Sequence, residues 1–302
     1  MAGQSLADWP ANGAGEAAIL PVRSSRNRLL YRARRHPSFV IGLLIVSCLT
    51  FAALFPQVLA PHNPLELLSK SGLQPASGQY LLGLDHLGRD VLSRTIYGTR
   101  TSILVALGAV LIAFVIGAPI GLFSGFRGGW VGNVINRSLD AIMAFPVLLF
   151  AILVLAFLGG TATNLVLTIG FIYIPYFARL ARGSTLAVKE RDFVQASRSV
   201  GASNRRLIFR NILPNISVPL IVQFSLALGV AMLVEANLSF LGLGVQPPTP
   251  SWGRMILESA IYMRANPWYM LAPGICIFVA IMGFNVLGDG LRDVVDPRLL
   301  IR

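Results

Sequence analysis

The chain has 302 residues, 55% of them hydrophobic and only 13% charged, with a mean hydropathy of +0.68. A soluble domain carries about 25% charged residues, so this composition excludes an ordinary water-soluble fold and points to lipid as the solvent. The formal net charge of +12 does not indicate nucleic acid, because the basic residues sit between long apolar runs, which is the pattern of membrane topology.

In chain order, the first twenty residues, containing Ala, Gly and Ser with Pro10 among them and Pro21 just after, read as disordered, and residues 1–38 as a cytoplasmic tail. Arg32, Arg34 and Arg35 read as a topology signal and a contact for lipid headgroups. The first apolar run, about Phe39 to Leu59, follows 38 polar and basic residues and exceeds a signal-peptide core, so it reads as a retained helix. His36 and His62 flank it and need no function. A periplasmic loop reaches residue 100. Five further spans are expected within residues 101–291: Thr101 to Phe126, Ala141 to Leu158, Asn164 to Ala178 with its flanks, Val218 to Val234 continuing to Leu241, and Trp268 to Gly288. Residues 292–302 form a C-terminal tail. Helices are expected because backbone groups in lipid must be satisfied within the segment. Cys48 and Cys276 lie inside apolar runs and read as packing residues.

With six crossings, the N-terminus, the second–third loop, the fourth–fifth loop and the C-terminus share one side. They hold six, two, eight and three Lys or Arg residues, against four, none and two in the other loops. The positive-inside rule places both termini in the cytoplasm.

The segment between Arg179 and Pro214 is patterned beyond a plain connector. Asp192 and Gln195 have the spacing of an N-cap and its partner. Phe193, Val194, Ala196 and Val200 give a short amphipathic face. Gly201 stops that helix. Ser203 can cap a second helix with Leu207, Ile208 and Ile212 on its apolar side, which Pro214 ends. A topology-setting basic loop explains Arg198, Arg205, Arg206 and Arg210; it does not explain the caps or the glycine, whereas a docking element for a soluble partner does.

Gln195-Ala196-Ser197, three residues, Gly201, then Ile212-Leu213-Pro214 resembles the EAA loop of ABC-importer permeases: Glu-Ala-Ala, three residues, Gly, nine residues, Ile, any residue, Leu-Pro. Gln195 stands at the Glu place, Ser197 at the second Ala and Asn211 at the Ile. Leu82-Gly83-Leu84-Asp85-His86-Leu87-Gly88-Arg89-Asp90-Val91-Leu92-Ser93-Arg94 resembles the block before the second helix of C-type permeases of dipeptide and oligopeptide importers. Leu238-Ser239-Phe240-Leu241-Gly242-Leu243-Gly244 with Pro247-Pro248-Thr249-Pro250-Ser251-Trp252-Gly253 resembles that subfamily's outer loop. Asn285-Val286-Leu287-Gly288-Asp289-Gly290-Leu291-Arg292-Asp293 with Asp296-Pro297-Arg298 resembles its C-terminal block. Together they cover roughly residues 30 to 302.

The resemblance implies an all-α integral membrane protein of the type I importer permease kind, with six transmembrane helices and an EAA-like coupling loop at residues 189–214. No Walker A sequence occurs, so this chain is expected not to hydrolyse ATP or bind a cofactor; ATP and Mg would sit on two partner ATPase subunits. The helix from about Arg191 to Val200 would dock in a groove of one of them, with Asp192, Phe193, Gln195, Ala196, Ser197, Arg198, Gly201, Ala202 and Pro214 as coupling residues. A side chain at Gly201 would both clash and strain the backbone. Closure of the ATPases would then drive alternating access. The other implied partners are a B-type permease, a periplasmic or lipid-anchored binding protein, a peptide substrate and membrane lipid. Related permeases also serve glutathione, haem or nickel complexes, and no residue here distinguishes these.

Glu235, near the outer end of the fifth span, either lines the substrate path or is solvated or paired at the interface. Asn237 and Pro146 are further candidates for path or gate; Pro146, Pro175 and Pro273 either kink helices for gating or are ordinary membrane prolines. Asp140 reads as a first-turn acid of the third span. Asp85, His86 and Asp90 read as loop structure rather than a metal site. An ion-coupled transporter would show several buried charges and related halves, and a membrane enzyme a clustered catalytic set; neither pattern is present. A structural scaffold would not need the two-helix loop.

Overall fold

The computed structural model describes residues 36–295 and Ala33. The expectations for the N-terminal tail, the arginine cluster at 32–35 and the end of the C-terminal block, residues 296–298, lie outside the described residues.

Helix α1 spans Pro37–Leu54 and is followed by the short α2, Pro56–Leu59, not by one helix to Leu59. Phe55 (φ −122°, ψ 50°) separates them, because Pro56 lacks an N–H and excludes the helical conformation from the residue before it. Of α1 only Gly42 and Ala53 are buried, which suits an outermost helix wetted by lipid.

Helix α3, Val91–Arg127, starts ten residues before the expected span. Asp90 caps it, accepting from the Ser93 backbone N–H at 2.8 Å and from Ser93 Oγ at 2.6 Å. At ~1.5 Å per residue the helix is far longer than a hydrocarbon core of ~30 Å, so its first turns stand beyond the lipid.

The third expected span is broken. Helix α4, Gly129–Met143, meets α5, Val147–Leu158, at 81°. Pro146 is the cause: it sits at the N-cap of α5 (φ −59°, ψ 126°) and removes the helical bond there. Helix α6 covers Ala162–Lys189, capped by Thr161, and so extends eleven residues past the expected end. Among the described residues five helices are long and apolar enough to cross a membrane, and the bent pair makes six if counted as one span.

Past the loop, α7 covers Asp192–Ser199 and α8 Asn204–Arg206. A π-helical turn, Leu207–Ile212, then runs directly into α9, Leu213–Phe240. Helix α10, Trp252–Ser259, precedes α11, Trp268–Val295.

The most extensive packing is α3 on α6. Gly117, Gly121 and Gly125, four apart on α3, bring the two backbones together: a Cβ at Gly121 would collide with the Ala178 carbonyl, and one at Gly125 would lie 2.9 Å from the Arg182 carbonyl. Small residues at this spacing allow the close approach that drives helix association in lipid. Helices α9 and α11 complete the core, with Ser225 Oγ donating to the Phe284 carbonyl at 2.9 Å.

The end opposite the arginine-rich loop carries a cap built from residues 61–90, the start of α3, α10 and the start of α11. Asp85, expected as loop structure, binds Arg89 Nε at 2.7 Å and faces Arg94 Nε at 3.3 Å. Glu258 receives Arg254 Nε at 3.0 Å, the Tyr269 hydroxyl at 3.2 Å and Arg94 at 3.5 Å. His86 stacks on Tyr262. These buried pairs join four separate chain segments into one unit.

Candidate coupling loop

Helix α7 is short and amphipathic, and it is connected to two spans, α6 through Glu190 and Arg191 and α9 through the turn at Gly201. Its N-cap is Arg191, with backbone φ −72° and ψ 146°, and no side chain caps it. The expected capping pair is thus corrected. Asp192 is the first helical residue, where a negative charge suits the helix dipole, and Gln195 points back toward α6. Gln195 Nε2 donates to the Lys189 carbonyl at 3.1 Å and to the Glu190 carboxylate at 3.3 Å. An amide serves this purpose and a carboxylate would not, because it has no proton to give and would repel Glu190.

The helix ends as expected at Gly201, φ +80°. The Ala202 N–H donates to the Ser197 carbonyl at 3.1 Å and the Gly201 N–H to the Arg198 carbonyl at 3.0 Å, the paired bonds of a Schellman motif. Among the described residues none beyond the chain neighbours lies within 4 Å of a Cβ built at Gly201, so within the chain only backbone strain disfavours a side chain, and the expected clash would have to come from the docking partner.

The amphipathic face is also revised. Val194 is fully buried, but Phe193 and Val200 are 43% and 85% exposed, and Ala196 is exposed. The expected apolar face therefore splits, Val194 inward and the others outward. Phe209, 66% exposed, joins them beyond the turn. Arg191, Arg198, Arg205, Arg206 and Arg210 of the same segment are also exposed.

Ser203 caps the following helix, accepting from the Arg206 N–H at 3.4 Å. Leu207 and Ile212 are buried as expected, but Pro214 does not end the helix. The Leu213 N–H reaches back five residues to the Ile208 carbonyl, and this widened turn accommodates the proline inside a continuous rod from Asn204 to Phe240. The rod is tied to α7 through Asn211 Nδ2, which donates to Ser197 Oγ at 2.8 Å. Ser197 and Asn211 are the two positions where apolar residues of the EAA pattern are replaced, and they are hydrogen-bonded to each other.

The candidate path residues are dispersed. Glu235 is 1% exposed and accepts from Ser239 Oγ at 2.7 Å, so the expectation of a solvated interface position is corrected: α10 packs over it, with Gly253 against Ala236 and Ser239. Asn237 is half-buried. Pro146 lies at the α4–α5 break, towards the other end of the molecule. Asp140, expected in a first turn, is in the last turn of α4 and accepts from Arg179 of α6 at 2.7 Å. Beside that pair is a cavity of roughly 660 Å³ lined by Met143, Tyr176, Arg179, Ser184 and Gln223 among others. The sequence signal for it was a polar and small-residue face at helical spacing within an apolar run.

Residues 117–301 match the family model described as the binding-protein-dependent transport system inner membrane component. The chain belongs to this family. Residues 27–75 match the N-terminal TM domain of oligopeptide transport permease C. The permease is 37% identical over 282 residues to the dipeptide transport system permease protein DppC of Alkalihalophilus pseudofirmus, covering 93% of this chain and 91% of the relative. It is 42% identical to the di/tripeptide transport system permease protein DppC of Pseudomonas aeruginosa (85% and 87% covered). It is 39% identical to the glutathione transport system permease protein GsiD of Pectobacterium atrosepticum (88% of each chain). Among solved structures, an inward-facing MetNI methionine ABC transporter chain aligns with a TM-score of 0.58 at 15% identity, covering 67% of this permease and 97% of that chain. The fold is the all-helical one of type I ABC importer permeases, and the permease is a non-catalytic, multi-pass membrane subunit of a bacterial ABC importer.

Proposed function

We propose that this permease forms half of the translocation pathway of an ATP-driven importer of dipeptides and oligopeptides, and that α7 is its docking helix for a separate ATPase subunit. The observation that carries the docking assignment is the exposure of Phe193 and Val200, and of Phe209 in the following turn, in a segment rich in exposed arginines whose short helix is fastened to two spans. A soluble partner with an apolar groove and an acidic rim complements such a surface. The fastening matters as much as the patch. Gln195 joins α7 to the end of α6, and Ser197–Asn211 joins it to the continuous rod that becomes α9. A push on α7 is therefore passed to both spans as a rigid-body motion, the mechanical requirement of alternating access.

The peptide assignment rests on likeness to the two DppC proteins over most of each chain. The GsiD likeness supports glutathione, itself a small peptide, as a second substrate. The partners are a B-type permease, two ATPase subunits holding ATP and Mg, and a periplasmic or lipid-anchored binding protein; this chain binds no cofactor. The site is the bacterial inner membrane with α7 and both termini in the cytoplasm, on the distribution of Lys and Arg.

The test is purification of the tagged chain from its native membrane in mild detergent, with mass spectrometry of what is retained. A second permease and ATPase subunits are expected, and their loss with Phe193→Asp would assign the contact to α7. Recovery of a monodisperse, transport-competent single chain would refute the reading.

A further inference from the structure

We infer that Arg179 is a binding residue for the terminal carboxylate of the peptide in transit, and that Asp140 occupies its place while the site is empty. The inference rests on the peptide reading above.

Four observations carry it. First, Arg179 lies ten residues before the end of α6, about 15 Å along the helix axis, and its side chain is 55% exposed. A charge on the open face near the cytoplasmic end of a span faces water, headgroups or a polar surface rather than lipid tails. Elsewhere on α6 the open face is what lipid favours, Leu167 and Phe171. Secondly, that face borders an open groove of roughly 660 Å³, comparable in volume to small-molecule sites of about 300–1,000 Å³. Thirdly, the Arg179 guanidinium uses a single Nη2 bond, to Asp140 Oδ1 at 2.7 Å, out of five donors. Among the described residues no other hydrogen bond to its side chain is present, so a paired edge remains for a second carboxylate. Asp140 is itself 49% exposed on another helix and can yield.

Fourthly, the rest of the lining suits a peptide of unspecified sequence. Tyr176, Ser184 and Gln223 offer a phenol, a hydroxyl and an amide, none engaged in a side-chain hydrogen bond among the described residues. Such groups pair with backbone amides, which every peptide has. Gly183 beside them leaves room, with nothing within 4 Å of a Cβ built there. The lining thus reads the carboxyl end and the main chain and leaves the side chains unspecified.

The experiment uses the complete transporter in vesicles of phosphatidylcholine, with and without an anionic lipid, supplied with saturating binding protein. Import of a labelled dipeptide and binding of it to the detergent-solubilised transporter lacking binding protein are both measured, for the free acid and the C-terminal amide. For the free acid, Arg179→Gln is expected to raise the half-saturating concentration about tenfold or more, the loss of one charge-assisted contact. The amide should bind the parent protein as weakly as the free acid binds the variant. Asp140→Asn removes the competitor and should tighten binding of the free acid; a merely structural pair predicts instead that Asp140→Asn and Arg179→Gln are equally harmful. Equal harm, or unchanged binding in Arg179→Gln, overturns the inference. An effect that is the same for acid and amide and appears only with anionic lipid assigns Arg179 to a lipid headgroup and also overturns it. If the parent transporter imports no peptide, the substrate class falls and this site with it, an outcome distinct from normal import with an indifferent Arg179.

Discussion

Gly201 separates strain from contact. Its φ of +80° lies in the left-handed region, where a side chain costs about 1–2 kcal/mol. Among the described residues a Cβ there meets nothing beyond its chain neighbours within 4 Å, so no collision inside the chain adds to that cost. Gly201→Ala should therefore shift the α7 turn by the strain alone, a factor of about 5–30 in the population of the docking geometry. Asparagine and aspartate enter the left-handed region more readily than alanine, and a negative charge among the arginines of this loop is not repelled. Gly201→Asp should consequently insert, purify and melt as the parent does. If α7 docks in a groove, the same variant brings bulk and charge against an acidic rim, and binding-protein-stimulated ATP hydrolysis and transport should be lost. The assay is transport by the complete complex in vesicles, with co-purified ATPase subunits counted in parallel. Gly201→Asp importing at the parent rate would refute the docking role, and Gly201→Asp failing to insert would refute the claim that the position is structurally free.

The α3–α6 packing predicts that Gly121→Ala, by driving a Cβ into the Ala178 carbonyl, destabilises by about 1–3 kcal/mol or more; an unchanged melting temperature in detergent would contradict it. In the cap, Glu258→Gln removes the carboxylate that Arg94 and Arg254 share, while Arg94 keeps Asp85, at a cost of about 1–3 kcal/mol. That change should appear as a lower melting temperature and as new proteolytic cleavage within residues 61–90. Asn211→Leu restores an apolar residue but breaks the bond to Ser197; transport should fall while insertion holds, and adding Ser197→Ala should recover part of it. Reporter fusions at residue 302 should be active only on the cytoplasmic side, and an external C-terminus would overturn the orientation.

Amino-acid pattern by itself determined the solvent, the number of crossings and the place of the loop, because each depends on local composition: runs of apolar residues, the spread of Lys and Arg, and a glycine at a helix stop. Gly201 and Ser203 were legible for this reason, since turn and cap chemistry act within a few residues. What required the tertiary structure were the features settled between distant segments. Pro146 read either as a kink or as an ordinary membrane proline, and only the fold decided for a break; Pro214 ended nothing because a π turn absorbed it. The four apolar positions of α7 read as one face; that Val194 turns into the core while Phe193, Ala196 and Val200 stay exposed depended on packing. For Glu235 the sequence left a path residue and a solvated or paired interface residue open, and only the packing of α10 showed it covered. Arg179 and Asp140 stand 39 positions apart in sequence, and only the close approach of α4 and α6 makes them a pair. Contacts of that range depend on how backbones pack, and no local pattern records them.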